Sequence, residues 1–387
     1  MIGRARRLAL WPGRAGLLVV AVCASCEDPP VRSDGEDTLD RCSDGLDNDL
    51  DGLVDCEDPR CGVFARCSAD GDADSDSDGD SDSDADGDGD CDPVLAALEI
   101  PGEAMGVAIR GDFAYVASGD DDGLVVVDLS VAAAPEVRGG ADTPGQAWAV
   151  ALATWGEYIF VADGASGLVV VNVGDAEDPN LVGEPASTQG DALAICVDGE
   201  RAYVAEGITG IEIFDVSDPE TPEPRGILSK GFYAQDVDEA ADLAVVAGIA
   251  NIILADVSSS SQPERITTLG LVDGVKNVVL DGGLAWIANG QGGLKAVSLE
   301  DEQAPGVIGE LETDGLAMGL ARFGDRALVS VEGEGLLVVD VSRPEAPSRR
   351  ETIEAPSPAW RVAVSETLAV ATYGQSGILV IDLGCLR

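Results

Sequence analysis

The sequence predicts an all-β fold over residues 93–387, a seven-bladed β-propeller of four-stranded blades that is closed by its N-terminal strand. Three observations predict this fold. A repeat of about 42 residues occurs seven times, three sequence columns recur in phase in every copy, and helical periodicity is absent. Four short strands at this period are typical of propeller blades, whose two faces are buried against the neighbouring blades.

Each copy of the repeat reads as four strands in a fixed order. A run of small and β-branched residues meets a Gly/Asp turn, and a segment such as "AYVA" follows the turn. A second Gly turn precedes "LVVVD", which is apolar on successive residues because both faces of a blade are covered. A Ser/Asp corner then leads to a fourth segment that opens with Pro. The residue in the Asp place of "LVVVD" recurs every 41 to 44 residues, as Asp128, Asn172, Asp215, Asp256, Ser298, Asp340 and Asp382.

The two ends of the repeat region predict how the ring closes. Residue 93 opens a Pro-led segment, "PVLAALEI", whereas the seventh copy ends just after "LVID" without such a segment. We therefore expect the first segment to supply the fourth strand of the last blade, which leaves no strand edge open. Cys91 and Cys385 map to the same corner of that blade, and this position predicts a disulfide between them.

Residues 1–25 read as an export signal. Four Arg accompany an apolar run over residues 15–24 that is too short to span a bilayer as a helix. Ala24-Ser25-Cys26 resembles the lipobox of bacterial lipoproteins, which predicts that lipidated Cys26 is the membrane contact of the protein. A plain cleaved signal, and hence secretion, is the alternative. The predicted location is the outer membrane or cell surface of a bacterium, an oxidising setting that permits disulfides.

A tether over residues 26–41 leads to a Cys-rich segment, residues 42–67, and then to an acidic linker, residues 68–92. The Cys-rich segment contains "DNDLDGLVDCED", a DxDxDG pattern in which carboxylates on alternate residues converge on one hard cation. Its predicted Ca²⁺ ligands are Asp47, Asp49, Asp51, Leu53 (through its carbonyl), Asp55 and Asp58. The alternative is an acidic loop held only by disulfides. Two bridges of unknown pairing are expected among Cys42, Cys56, Cys61 and Cys67.

The linker and the overall charge restrict the partners of the chain. Asp occupies every even position from Asp70 to Asp92, so this region is predicted to be disordered. The chain carries 72 acidic and 23 basic side chains, a net charge of −49, and such a surface repels nucleic acid and anionic lipid headgroups. It contains no His, which excludes Ser-His-Asp and Cys-His catalytic pairs and imidazole metal sites. We therefore expect a protein that is not an enzyme.

The inner strands of a propeller line its axis. Side chains alternate along a strand, so the third and fifth places of the inner-strand column face one way. The third places hold Gly106, Ala151, Ala194, Asp236, Asn277, Gly319 and Arg361. Most residues in the two columns are small, and the polar exceptions Asp236, Asp238, Asn277 and Arg361 form a candidate site for a cation or a small polar ligand. The alternative, which we favour, is that Arg361 neutralises one Asp in a water-filled channel.

The repeated segments also carry a resemblance to a known family. "GLVVVDLS", "GLVVVNVG" and "GLLVVDVS", which begin at residues 123, 167 and 335, resemble the LVIVD repeats of bacterial and archaeal surface propellers. Blades four and five depart most, in "NIILADVS" and "GLKAVSLE". The Cys-rich segment is similar to Cys-framed "DGxDNDxDGxxD" modules of bacterial surface proteins. The resemblance implies an extracytoplasmic propeller and implies no established chemistry.

These observations together predict a non-enzymatic, monomeric cell-surface lipoprotein whose propeller is a binding or scaffold module for protein or glycan. One alternative is a hydrolase or lyase that uses carboxylates and a cation at the propeller mouth. Another is a purely structural envelope protein.

Overall fold

The computed structural model describes residues 91–229, 231–355 and 359–386. The predicted signal, the tether, the Cys-rich segment and the acidic linker up to residue 90 lie outside the described residues. Among the described residues, no helix is long and apolar enough to cross a membrane. The helical content of these residues is one short turn, Gly119–Asp122.

The strands form seven antiparallel sheets of four strands each, which confirms the predicted seven-bladed propeller. Blades one to three consist of β2 to β13: Val107–Arg110, Phe113–Ala117, Leu124–Asp128 and Glu136–Ala141; Ala149–Leu152, Tyr158–Ala162, Leu168–Asn172 and Asn180–Leu181; Ala194–Asp198, Arg201–Ala205, Ile211–Asp215 and Glu223–Leu228. Blades four to six consist of β14 to β25: Asp236–Ala240, Leu243–Ala247, Asn251–Asp256 and Glu264–Gly270; Asn277–Asp281, Leu284–Ala288, Leu294–Ser298 and Gly306–Leu311; Leu316–Phe323, Arg326–Glu332, Gly335–Asp340 and Ser348–Ile353. Blade seven consists of β26 (Val362–Val364), β27 (Leu368–Thr372), β28 (Ile378–Asp382) and, as its outer strand, β1 (Val94–Leu98).

Strand β1 closes the ring as the sequence predicts. It pairs with β28, with Leu98 opposite Ile378, and a bulge lies near its start at Val94. Five other blades have a bulge at the same step between their third and outer strands, so β1 reproduces the geometry of an ordinary outer strand. A disulfide joins Cys91 to Cys385, with Cα atoms 5.4 Å apart, in the predicted pairing.

The core consists of apolar layers between neighbouring blades. Seven buried clusters occur in the part of the chain that the structure describes, one for each pair of adjacent blades. In β4, Leu124 and Val126 belong to the layer against blade two, whereas Val125 and Val127 belong to the layer against blade seven. This division explains why "LVVVD" is apolar on successive residues, because each face of the strand packs in its own layer.

The turns of the propeller fall on two faces because successive strands are antiparallel. One face holds the turns between second and third strands and the connections from one blade to the next, and we call it the loop face. The opposite side, which holds the corners between third and outer strands, also holds Cys91 and Cys385, and we call it the tether face. The chain therefore enters the propeller on the tether face.

The Asp place of the repeat is structural. In all seven blades this side chain accepts a hydrogen bond from the backbone N–H two residues later, which fixes the corner that leads to the outer strand. Asp215 is typical: it accepts bonds from the Ser217 N–H at 3.0 Å and the Ser217 hydroxyl at 2.7 Å, and it pairs with Arg225 at 2.6 Å. These donors lower the pKa of Asp215 to about 2.

Asp215→Ala is expected to lower the free energy of unfolding by about 1–2 kcal/mol, because four hydrogen bonds to a carboxylate are lost at one corner. Ser298→Ala is the matched control. Ser298 occupies the same place in blade five, but its bond to the Glu300 N–H is long, 3.4 Å. Urea unfolding of both variants measures the difference. An equal loss in the two variants would show that the carboxylate does not hold the corner.

Candidate functional site in the central channel

The seven inner strands surround a narrow channel on the propeller axis with a cavity volume of about 60 Å³. Its walls differ in chemistry. Blades one to three contribute Gly106, Ala149 and Ala194, whereas blades four, five and seven contribute Asp236, Asp238, Asn277 and Arg361. The channel therefore has a wall of small side chains and a polar wall.

The structure brings together the four polar side chains that the sequence singles out, but it corrects one place in the inner-strand column. In blade two the wall position belongs to Ala149 and not to Ala151. Backbone bridges fix this register, since Ala147 pairs with Gly119 as Ala104 pairs with Gly374. The reason is that blade two has two extra residues between its first and second strands. A count of residues back from the second strand does not reveal this insertion.

Both Asp side chains of the polar wall hold the neighbouring blade. Asp236 and Asp238 lie on β14 and are 8% and 9% exposed. Asp236 Oδ2 accepts the backbone N–H of Val278 at 2.9 Å, and Asp238 Oδ2 accepts that of Leu280 at 2.7 Å. These N–H groups belong to β18, an inner edge strand whose outward donors have no partner within its own sheet. The carboxylates thus join blade four to blade five.

Asn277 extends the same pattern by one blade. Its Nδ2 donates to Asp236 Oδ2 at 2.6 Å, and its Oδ1 accepts the backbone N–H of Leu320 in blade six at 2.8 Å. Three polar side chains therefore link blades four, five and six around the axis.

Arg361 lies across the channel from blade seven. Its guanidinium approaches Asp236 Oδ1 at 3.5 Å and donates to the carbonyls of Lys276 and Met318 at 3.3 and 3.4 Å. The Arg361 side chain of blade seven thus contacts blades four, five and six. This arrangement matches the interpretation in which Arg361 neutralises one Asp.

Burial controls the protonation of the two carboxyls. Desolvation raises the pKa of Asp236, and the Arg361 guanidinium opposes that rise. Desolvation raises the pKa of Asp238 to about 7, against the backbone N–H groups of Leu280 and Glu239, which lower it. A carboxyl that titrates near neutral pH is a candidate acid or base, but most oxygens here already accept backbone hydrogen bonds.

Arg361→Met is expected to lower the free energy of unfolding by roughly 3 kcal/mol, because it leaves Asp236 buried without its cation. The double variant Arg361→Met/Asp236→Asn removes the stranded charge and is expected to recover about half of that loss. Urea unfolding at pH 7 checks both values. A double variant that is no more stable than the single variant would show that the pair contributes only packing.

Sequence reasoning missed a second set of buried acids, which lies between blades. Glu206 and Glu212 of blade three are 1% and 6% exposed, and each has one carboxyl oxygen without a hydrogen-bond partner among the described residues. Desolvation raises the pKa of Glu206 to about 8, and the adjacent Glu212 carboxyl adds to the rise. The Glu206 carboxyl is therefore protonated at neutral pH. One signal was visible: Glu212 interrupts "IEIFD" where other blades have an apolar residue or Lys295.

Glu239 of blade four is another buried acid that the sequence reasoning missed. It is fully buried, and its Oε1 accepts the Asp242 N–H at 2.6 Å. Desolvation, together with the nearby Asp198, raises its pKa to about 8. Glu239 follows Asp238 in an acidic stretch, "DVDEA", and nothing in that pattern distinguishes a buried carboxylate from an exposed one.

The remaining predicted sites lie outside the described residues. They are the lipidation site Cys26, the Ca²⁺ ligands Asp47, Asp49, Asp51, Leu53, Asp55 and Asp58, and the cysteines Cys42, Cys56, Cys61 and Cys67. Among the described residues, Cys91, Asp382 and Cys385 cluster closely enough for a metal ion, but the disulfide occupies both sulfur atoms.

Comparison with known proteins agrees with the repeats and the fold. The LVIVD repeat family matches residues 101–143, 144–185, 189–227 and 314–353, which correspond to blades one, two, three and six. The blades that depart most, four and five, are not among these matches. A comparison with curated protein sequences gives no significant match.

Solved structures share the propeller fold at low identity. The computationally designed Ika8 protein is 9% identical with a TM-score of 0.57, and the alignment covers 75% of this chain and 99% of that one. The β-propeller domain of Cps50 (Swd1) from Myceliophteria thermophila is 11% identical, with a TM-score of 0.62 and coverage of 75% and 98%. The WD40 β-propeller domain of Doa1 is 13% identical, with a TM-score of 0.62 and coverage of 75% and 96%. At these identities the likeness concerns the fold alone.

Proposed function

We propose that this seven-bladed propeller with its LVIVD repeats is a non-enzymatic binding module, which an exported, lipid-anchored chain presents to a protein partner at the bacterial cell surface. The observation that carries the proposal is the use of the polar channel residues. Asp236, Asp238 and Asn277 accept backbone N–H groups of the next blade, and Arg361 pairs with Asp236. These groups hold blades together, so the exposed faces are the surfaces left for function.

The direction of the chain supports the loop face as the binding face. The acidic linker joins the propeller at Cys91, on the tether face, and the disulfide to Cys385 fixes that point. A partner that approaches the loop face meets a rigid surface away from the attachment point. Rigid elements with exposed turns are the usual arrangement of binding surfaces.

Capture experiments test the binding function. The full chain is immobilised and exposed to an envelope extract of the source bacterium, with and without Ca²⁺, and bound proteins are quantified by mass spectrometry. We expect selective retention of one or a few proteins, and we expect Asp236→Asn to retain them equally well. If Asp236→Asn abolishes capture while the chain stays folded, the channel is the binding site and the proposal is wrong. Retention of polysaccharide instead of protein would favour a glycan ligand.

The anchor has a separate test. Cys26→Ser removes the predicted lipidation site, so we expect the chain to move from the membrane fraction to the soluble exported fraction. Cys42→Ser is the control for loss of a cysteine near the N-terminus and should leave the chain in the membrane fraction. A Cys26→Ser chain that stays with the membrane would contradict a lipid anchor at this residue.

A further inference from the structure

Three large apolar side chains stand exposed on one part of the loop face. Ile208 is 84% exposed, in the turn between the second and third strands of blade three, and Ile249 is 58% exposed in the corresponding turn of blade four. Val272 is 73% exposed, in the connection from blade four to blade five. None of the three belongs to a core layer. Exposed apolar side chains that gather on one face are typical of interaction surfaces.

Backbone and side-chain contacts join the turn that carries Ile208 to the turn that carries Ile249. The Ile208 turn binds the connection from blade three to blade four, because the Gly207 N–H donates to the Ala234 carbonyl at 3.0 Å. The half-buried Tyr233 ring covers Gly207, where an added Cβ would come within 3.2 Å of the ring. Gln235 then donates to the carbonyl of Gly248 at 3.3 Å, in the Ile249 turn.

The Val272 connection continues the surface and is held rigidly. The Leu271 N–H donates to the Ala250 carbonyl at 2.9 Å, beside Ile249. From the other side, the fully buried Asn289 donates to the Val272 carbonyl at 2.8 Å. Asp273 has a φ of 86°, a conformation that a non-Gly residue rarely adopts without support from its surroundings. Val272 is therefore fixed in its outward position, which lowers the entropic cost of binding.

Charge indicates what kind of partner fits. The chain has a net charge of −49, and turns elsewhere on the loop face carry exposed Asp142, Glu184, Glu312 and Asp314. The connection that carries Val272 itself holds exposed Asp273 and half-buried Lys276. An apolar sector on a predominantly acidic face is complementary to apolar side chains that are flanked by Lys and Arg, and it repels a second copy of the same chain.

We propose that Ile208, Ile249 and Val272, with Tyr233 between them, form the docking sector for a protein partner that presents apolar side chains flanked by basic residues. This inference rests on the proposed binding function and names the sector and the chemistry of the partner.

The probe is a random 15-residue peptide library displayed on phage and selected at low salt on the immobilised full chain. We expect enriched peptides in which Lys or Arg flanks Leu, Ile, Phe or Trp. The triple variant Ile208→Glu/Ile249→Glu/Val272→Glu should weaken binding of the synthesised peptides at least about tenfold, and raised salt should also weaken it. The matched control is Val131→Glu/Val137→Glu/Val307→Glu, at exposed sites away from the sector, which should change binding less than about twofold. Thermal melts of both triple variants establish that they are folded.

Each other result counts against the inference. Peptides that bind the triple variant as tightly as the wild-type chain would place the docking site elsewhere and leave the binding function intact. Enriched peptides without basic residues would overturn the partner chemistry. A selection that enriches no peptide overturns the inference, and the proposed function fails with it only if capture from the envelope extract also fails.

Discussion

Deletion of residues 91–100 from the full chain is expected to abolish cooperative folding of the propeller or to lower its free energy of unfolding by more than about 5 kcal/mol. The deletion removes β1, the outer strand of blade seven, and exposes the edge of β28. It also removes Ile100 and Leu98 from the layer between blades seven and one, and it removes the disulfide. Guanidinium unfolding followed by circular dichroism and by tryptophan fluorescence measures the effect.

The double variant Cys91→Ser/Cys385→Ser separates the strand from its covalent link. It retains β1 but opens a loop closed across a sequence separation of 294 residues, for which loop entropy predicts a loss of roughly 6 kcal/mol as an upper estimate. We expect the deletion to be the more damaging change, since it removes this link and the strand together. A deletion chain that unfolds at the wild-type guanidinium concentration would mean that β1 does not complete blade seven.

Raising the pH from about 5 to about 8.5 is expected to destabilise the propeller by several kcal/mol, at roughly 1.4 kcal/mol for each pKa unit. Burial raises the pKa of Asp238 to about 7 and that of Glu206 and Glu239 to about 8. Between the unfolded pKa of about 4 and these values, the folded chain binds more protons than the unfolded chain. The stability from these groups is therefore complete below about pH 4 and is lost as the pH rises through 7 to 8.

The corner residues act in the opposite direction and at lower pH. Hydrogen bonds from Ser and Arg hold the pKa of Asp215 and Asp340 at about 2, so their contribution is lost only as the pH falls through that value. Maximum stability is therefore expected in the mildly acidic range.

Urea midpoints from pH 4 to pH 9 test the pH dependence, with Glu239→Gln as the variant. The amide cannot ionise, so the variant should lose less stability than the wild-type chain over this range. Asp142→Asn, at an exposed carboxylate, is the control and should follow the wild-type curve. A wild-type midpoint that rises between pH 5 and pH 8.5 would contradict the assignment of these acids as buried and protonated.

The fold was predictable because the same sequence pattern recurs in every blade. Three columns in phase fix the number of blades, and the Pro-led segment that opens the repeat region identifies β1 as an outer strand, which pairs with β28. The channel wall was predictable to the level of residue type, since alternation places Asp236 and Asp238 on one side of β14. The bonding partners were not, because Val278 and Leu280 donate through backbone N–H groups that any residue would supply. In a chain with 72 acidic residues, the identity of Glu206 or Glu239 alone says nothing about burial.

The register of blade two shows the limit of spacing arguments. Counting residues back from Ala162 with the spacing of the other blades places Ala151 at the channel wall. The backbone bridge between Ala147 and Gly119 instead places Ala149 there, two residues earlier. A shift of two residues keeps the same face of the strand toward the axis, so the prediction of a small side chain at this wall position is still correct. A shift of one residue would have turned the apolar side chains of β6 to the wrong face.

Peptide mapping of the full chain without reduction tests the sevenfold, head-to-tail ring most directly. Proteolysis and mass spectrometry should recover one linked pair in which Cys91, just before the first strand, is bound to Cys385, just after the last. Recovery of both cysteines as free thiols, or of either one linked to a different cysteine, would contradict the ring and the composite seventh blade on which the proposed binding face depends.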